Sequence, residues 1–534
     1  MKIKPLFFLL LLFQFSGYSQ QDAWVYFSDK PDVDFYFANP LQMLSQRSLD
    51  RRSVQNIPLD EKDVPVHPEY VTGLTQSPGI TVMAVSKWLN AAHVRGEVAD
   101  ISALASLTYV SAVDFADNSL DASNRVRPQI PHSQRTQQVQ QTQADFPYGG
   151  SANQIQMLNG QLLHQQDFTG SGMQIAVIDA GFPGVDSAAP FQRLHDNNLI
   201  LGGYNFVNNS TDFYVGGNHG TYVLSTLGGY AENQLVGTAP DASYYLLVSE
   251  DVSSENPVEE SYWAEAAEMA DSLGVDVITT SLGYRPFDNP AYSYTYADMD
   301  GQTTFISRAA EIAFTRGMIV VVSAGNSGGS DDPHIWAPSD AEHVLSIGAV
   351  DATENYAGFS STGPSADGRI KPDMAAQGQA STVSGTDGTI FTLNGTSFAA
   401  PILAGMITCF WQAAPDKTNQ EIVDLVKQSC DQFASPDYLK GYGIPDFGQA
   451  LALSVNQILA SRIHPYPNPV STSFYFDLPA NASGHLKLYN NLGQLVFEKE
   501  VSNNPIDVSG LSSAMYFYQL QTSDQRINGK LIKQ

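Results

Sequence analysis

Three short stretches carry side chains suited to acyl transfer. Ile175-Ala176-Val177-Ile178-Asp179 ends an apolar run on a carboxylate, which is costly to bury unless it is paired. Gly216-Gly217-Asn218-His219-Gly220-Thr221 sets a histidine between glycines, open on both ring faces as a general base must be. Leu393-Asn394-Gly395-Thr396-Ser397-Phe398-Ala399-Ala400-Pro401 places a serine ahead of a long apolar stretch, 402–411. A serine at the head of a helix has an accessible hydroxyl and an unpaired backbone N–H, which is what a nucleophile beside an oxyanion needs. Each stretch also has a plainer reading: a turn-forming Asp before Gly, a histidine at a turn, and a Ser/Thr helix cap. The order along the chain is acid, base, nucleophile, one of the orders in which a Ser-His-Asp triad occurs.

All three lie within 146–453, where the pattern alternates. Apolar runs at 174–179, 244–248, 275–281, 318–323 and 344–349 read as strands, and amphipathic runs at 257–273, 303–316, 397–412 and 419–429 read as helices. Strands apolar on both faces and alternating with helices predict an α/β domain with a mostly parallel sheet flanked by helices. In such sheets function gathers at the carboxyl ends of strands, which is where Asp179 falls.

The flanks differ in kind. Residues 1–19 have a basic start, a short apolar middle and small residues at the end, the pattern of a secretory signal peptide cut after Ser19. No cysteine follows for a lipid anchor, and no later stretch is long and apolar enough for a transmembrane helix. Residues 24–116 read as a small α+β module, with strands at 23–27 and 80–85 and helices at 41–52 and 101–107; His67 and His93 stand alone in it. Residues 117–145 are polar and rich in Gln, Ser, Asn, Arg and Pro, a linker of the kind that proteases cut. A second linker at 454–463 leads to 464–534, whose short strands at 474–478, 485–489, 494–501, 506–508, 515–522 and 525–532 predict a β-sandwich with a lone His485.

The 534-residue chain has 43% hydrophobic residues and a net charge of −28. That composition builds several cores and argues against nucleic acid or an anionic membrane as partner, while acidic loops suit divalent cations. The two cysteines, Cys409 and Cys430, fall on successive predicted helices. They are either two buried thiols or one disulfide.

The motifs closely resemble those of the subtilisin-like serine peptidases (subtilases). Asp179 matches the family's strand-end aspartate, His219-Gly220-Thr221 its H-G-T motif, and Gly395-Thr396-Ser397-Phe398-Ala399-Ala400-Pro401 its G-T-S-x-A-x-P motif. Val321-Val322-Ser323-Ala324-Gly325-Asn326 matches the segment whose Asn donates to the oxyanion, and Phe359 to Pro364 with Lys371-Pro372-Asp373 resembles the run before the nucleophile. The resemblance implies a secreted serine endopeptidase made as a zymogen, with Asp179, His219 and Ser397 as catalytic triad and Asn326 in the oxyanion hole. It implies cleavage of protein or peptide substrates through an acyl-enzyme, with no cofactor for the chemistry. Ser281-Leu282-Gly283 matches the strand that pairs with substrate; Tyr284 then suggests a bulkier pocket edge, and Trp336 a shallow main pocket.

The first module resembles subtilase prodomains, which act as intramolecular inhibitors. The last resembles type IX secretion sorting domains of Bacteroidetes, through Tyr466-Pro467-Asn468-Pro469, Leu492-Gly493-Gln494 and the terminal strands, with Ala514 standing where relatives have Gly. That implies the secretion machinery as partner and an extracellular or cell-surface location. A structural calcium is expected for the family; Asp186 and Asp196 are candidates, and no ligand spacing assigns a metal site. Asn394-Gly395-Thr396 fits the glycosylation pattern, but a glycan there would block the cleft. The competing function is a surface binding or adhesion protein on a retired protease scaffold, although no triad member is missing here.

Overall fold

The computed structural model describes residues 20–120, 146–462, 464–476, 478, 483–522 and 526–534. The expected signal peptide and nearly all of the first linker lie outside them. One unit extends to Asp446 and a second begins at Phe447.

The first unit opens with strands β1 (Gln21–Phe27), β2 (Thr81–Ser86), β3 (Ala91–Gly96) and β4 (Val110–Phe115), antiparallel in the order β2-β3-β1-β4. The two-residue period of β1 serves two cores. Ala23, Val25 and Phe27 join the module's own core, whereas Trp24 points into the core of the α/β domain. The helix expected over 41–52 is instead a 3-10 turn, Pro40–Gln42, followed by α1 (Gln46–Val54). Ser45 forces the restart by capping α1, its Oγ accepting the Ser48 N–H at 3.2 Å. Helix α2 (Pro68–Thr75) and strands β3 and β4 were not anticipated; Ala-Ala-His-Val-Arg-Gly has little of the β-branched content that announces a strand. The helix expected at 101–107 is α3 (Val98–Ala103) with a 3-10 turn, Leu104–Ser106.

The central sheet comprises β5 (Gln174–Asp179), β6 (Ile200–Asn205), β7 (Ser243–Val248), β8 (Val277–Thr280), β9 (Ile319–Ser323), β10 (Leu345–Val350) and β11 (Met374–Gln377). Its order is β11-β10-β9-β8-β5-β7-β6, and every neighbouring pair is parallel. Strands β8 to β11 are buried at every residue, as their apolar runs require of a sheet covered on both faces. Strand β6, with two adjacent glycines, and the short Met-Ala-Ala-Gln of β11 were not legible as strands. Helices α4 (His219–Gly228), α5 (Val258–Leu273), α6 (Phe305–Thr315), α7 (Thr396–Ala413) and α8 (Asn419–Gln428) are the longer helices of the domain.

The N-terminal module sits on α5. Trp24 Nε1 donates to Ser261 Oγ at 2.9 Å. His93 is not isolated: it is buried between Ser261 Oγ and Asp22 Oδ1, each 3.0 Å away. Glu265 accepts the Val85 N–H at 2.8 Å. Glu268 accepts the Ser86 hydroxyl at 2.6 Å and the N–H groups of Lys87 and Trp88, both at 3.0 Å. Behind the sheet, α1 supplies Arg51 and Arg52, which share the buried Asp271 at 2.6 and 2.7 Å.

The second unit starts with α9 (Phe447–Arg462), so the segment expected as a linker at 454–463 is helical almost throughout. Strands β12 (Pro465–Tyr466), β13 (Ser473–Phe476), β14 (Gly484–Tyr489), β15 (Leu495–Val501), β16 (Ile506–Asp507), β17 (Ala514–Thr522) and β18 (Arg526–Lys533) form two antiparallel sheets, β12-β13-β16 and β15-β14-β17-β18. Phe474 and Phe476 of the first share one core with Leu486, Leu488, Tyr518 and Leu520 of the second, the sandwich the alternation predicted. His485 is paired with Glu498 and Glu500, at 2.7 and 2.6 Å, on the exposed face of β14. Among the described residues no helix is long and apolar enough to cross a membrane.

Candidate active site

Four adjacent strands, in the order β9-β8-β5-β7, deliver residues to one cleft from their carboxyl ends. Asp179 is the last residue of β5 and is fully buried. His219, the first residue of α4, places Nδ1 at 2.8 Å from Asp179 Oδ1 and 3.0 Å from Oδ2. An ionised carboxylate only accepts, so Nδ1 carries the proton and Nε2 keeps its lone pair. The Ala180 N–H donates to Asp179 Oδ1 at 2.7 Å, fixing the carboxylate from behind. Gly220 explains the spacing: a Cβ there would come within 2.5 Å of the Gly181 carbonyl and 3.0 Å of Asp179 Cβ. The His219 side chain retains 36% of its exposure. Burial lowers its pKa, but the charge and hydrogen bond of Asp179 more than offset this and leave it raised from 6.5.

Ser397 is the second residue of α7 and is 8% exposed. The preceding Thr396 ties the turn before Ser397 to Asn326, three residues beyond β9. Its backbone N–H lies 2.9 Å, and its hydroxyl 3.1 Å, from Asn326 Oδ1. Because a backbone N–H can only donate, the amide oxygen must face Thr396, and Nδ2 points the other way. Asn326 itself is exposed. The ring of Phe398 lies 6.2 Å from that of His219, centroid to centroid.

Ser281, immediately after β8, does not offer its side chain to the cleft. Its Oγ donates to the Ser397 carbonyl at 2.8 Å. Ser281-Leu282-Gly283 therefore lines the cleft through Leu282 and backbone. A Cβ on Gly283 would lie 3.5 Å from Trp336 Cβ, so the half-buried Trp336 stands opposite this segment. Tyr284 corrects an expectation. It is fully buried instead of forming a bulkier pocket edge: its N–H donates to the Ala337 carbonyl at 2.8 Å and its hydroxyl donates to Glu250.

Glu250 was missed by sequence reasoning, as was the acidic loop it begins. A cavity of about 500 Å³ runs from His219 and the Ser281–Gly283 segment into that loop. The signal available was the density of carboxylates between Glu250 and Glu260, but nothing in that run says which side faces the cleft.

Cys409 and Cys430 are both buried free thiols, which removes the disulfide alternative. Asp186 accepts the Ser187 hydroxyl at 3.1 Å and Asp196 accepts Gln192 Nε2 at 2.8 Å. Neither belongs to a group of three or more His, Cys, Asp or Glu side chains gathered as metal ligands among the described residues.

Three family models match in succession: a peptidase S8 propeptide domain of Bacteroidota over residues 22–141, the subtilase family over 170–443, and a secretion system C-terminal sorting domain over 464–534. Subtilisin E of Bacillus subtilis (strain 168) is 30% identical over 295 residues, covering 55% of this chain and 68% of the relative. Subtilisin of Bacillus pumilus is 30% identical over 295 residues, covering 55% of this chain and 94% of the relative. An alkaline protease of Alkalihalobacillus alcalophilus is 28% identical over 336 residues, covering 63% and 77%. Among solved structures, MycP1 from the ESX-1 type VII secretion system matches over 60% of this chain and 91% of its own, at 22% identity and a TM-score of 0.45.

Proposed function

Starting from a chain that belongs to the subtilase family of serine endopeptidases, we propose that Ser397, His219 and Asp179 are its catalytic triad and Asn326 its oxyanion donor. Ser397 Oγ attacks the carbonyl carbon of a peptide bond as His219 Nε2 takes its proton. The Asp179 carboxylate holds the imidazole in that tautomer and stabilises the imidazolium. The tetrahedral oxyanion is met by Asn326 Nδ2 and the Ser397 N–H, worth about 3–4 kcal/mol per donor in the transition state. Collapse passes the proton from His219 to the leaving amine and leaves an acyl-enzyme, which water hydrolyses by the same route in reverse. No step requires a cofactor.

The observation that carries this reading is the paired Asp179–His219 side chains opening onto a cleft flanked by the Ser281–Gly283 backbone. An extended substrate adds to that backbone as a strand, which gives affinity with little dependence on sequence. The propeptide domain acts as intramolecular inhibitor, seated on α5 by Glu265 and Glu268. The C-terminal sorting domain directs export through type IX secretion to the extracellular space or the cell surface. Casein turnover by the processed protein tests the activity. Turnover that disappears with Ser397→Ala is expected; equal turnover by that variant would overturn the assignment.

A further inference from the structure

Strand β7 leads directly into an acidic wall of the cleft. Glu250, Asp251, Glu255, Glu259 and Asp288 line the cavity that His219 bounds, and no lysine or arginine lines it. Three of these carboxylates are committed to shaping the loop. Glu259 accepts the N–H groups of Asp251 and Asn256 at 2.9 and 2.8 Å, and Asp288 accepts that of Glu255 at 3.0 Å. Asp251 accepts the Ser253 N–H at 3.0 Å and hydroxyl at 2.6 Å.

Glu250 is held for a different purpose. The Tyr284 hydroxyl and, at 3.0 Å, the Ser249 hydroxyl both donate to its Oε1, aiming a half-buried carboxylate along the cleft. Burial pushes its pKa up to about 8, against the lowering effect of Tyr284, and the Glu255 charge adds to the rise. Glu255 is pushed up to about 7 by burial and by Asp288. The loop thus crowds carboxyl groups that hold their protons near neutral pH beside the catalytic histidine and supplies no cation of its own, an arrangement in which an incoming positive side chain favours the ionised form.

The chain contains a peptide with the complementary charge. Between Ala122 and Ala144 there is no Asp or Glu, yet Arg125, Arg127 and Arg135 are present, in a sequence whose net charge is −28. This segment joins the propeptide sheet to the catalytic domain.

We propose that the acidic cavity is a specificity subsite for an arginine or lysine side chain N-terminal to the scissile bond, with Glu250 as the receiving carboxylate. Its first occupant is the chain's own linker, through Arg125 or Arg127. The assignment rests on the serine-peptidase reading of the same cleft. A planar guanidinium can take two parallel hydrogen bonds from one carboxylate. A neutral side chain would leave Glu250 without a counter-charge, so the discrimination comes from the charge that only a cationic side chain brings. Tyr284 is a positioning residue that acts through Glu250.

The test compares fluorogenic peptides that differ only in arginine against citrulline, its neutral near-isostere, at each position N-terminal to the cut. The processed protein is expected to favour arginine at one of those positions by at least tenfold in kcat/KM. Glu250→Gln should reduce that ratio towards one. Because a variant at a half-buried position can fail to fold, the arginine–citrulline ratio of the unaltered protein stands as a test by itself, and a ratio near one at every position overturns the proposal. In the full chain, Arg125→Gln with Arg127→Gln should slow propeptide cleavage at least tenfold. Cleavage at the unaltered rate would remove the linker as the occupant. Labelling by an uncharged fluorophosphonate reports the nucleophile separately. Labelling with no arginine preference contradicts the subsite alone, whereas no labelling contradicts the serine-peptidase reading beneath it.

Discussion

Tyr284 follows the segment expected to pair with substrate, yet its hydroxyl reaches through the wall of the cleft to the Glu250 carboxylate. The link ties the ends of two strands, β8 and β7, which flank β5 and its Asp179. Above the raised Glu250 pKa of about 8 the buried phenol donates to an ionised carboxylate, a charge-assisted bond stronger than a neutral one.

Tyr284→Phe keeps the ring and deletes the donor. The partner, removed from water, is an ionised carboxylate only above its pKa of about 8, so the expected loss of stability measured above that pH is about 1.5–3 kcal/mol. Denaturant unfolding of the inactive Ser397→Ala chain, with and without the second change, measures it. A difference below a few tenths of a kcal/mol would mean that the bond contributes nothing.

The pH profile follows from His219. Its pKa is raised above 6.5, and only the neutral ring can accept the Ser397 proton. Activity is therefore full above the raised pKa and is lost as pH falls through it. The acid limb of kcat/KM should have its midpoint above 6.5. Glu250, whose own pKa is pushed up to about 8, is already protonated there, so Glu250→Gln should leave that midpoint in place. An acid limb below 6.5, or one that moves in the variant, would contradict the electrostatic account.

Asn326→Ala should lower kcat about 10²–10³-fold with little change in KM, because the lost donor acts only on the transition-state oxyanion. A comparable loss located entirely in KM would place Asn326 in ground-state binding instead.

Asp271 neutralises both Arg51 and Arg52 where α1 meets α5. Asp271→Ala takes the carboxylate from the buried Arg51, while Arg52 keeps Asp63 at 2.7 Å, an effect of about 3–5 kcal/mol. Both arginines belong to the propeptide, so the destabilisation should appear in the unprocessed chain and be small in the processed one. Thermal unfolding of the two forms distinguishes them; equal losses in both would show that Asp271 is needed by the catalytic domain itself.

Much of this was legible in the sequence, for identifiable reasons. The strands that position Asp179 and Asn326 are apolar on both faces, and a fully buried parallel strand has little other way to be written. His219 and Ser397 were legible because glycines and small residues mark the turns that expose them. Strands β3, β6 and β11 were obscured by Ala and Gly, whose burial is decided by neighbours far along the chain. The break at Ser45 was hidden because a cap and a mid-helix serine look alike without the geometry. Tyr284 failed for a further reason. It follows Gly283 along the chain, but the direction of its side chain depends on Glu250, thirty-four residues earlier, and no local pattern records that pairing.

The central claim is that Ser397 is the nucleophile, and peptide mapping of the fluorophosphonate adduct tests it most directly. Treating the processed full-length product with the probe and locating the added mass by tandem mass spectrometry should find one modified residue, Ser397, with labelling that falls away as His219 becomes protonated. An adduct on any other residue, or no adduct on folded and processed protein, would contradict the account.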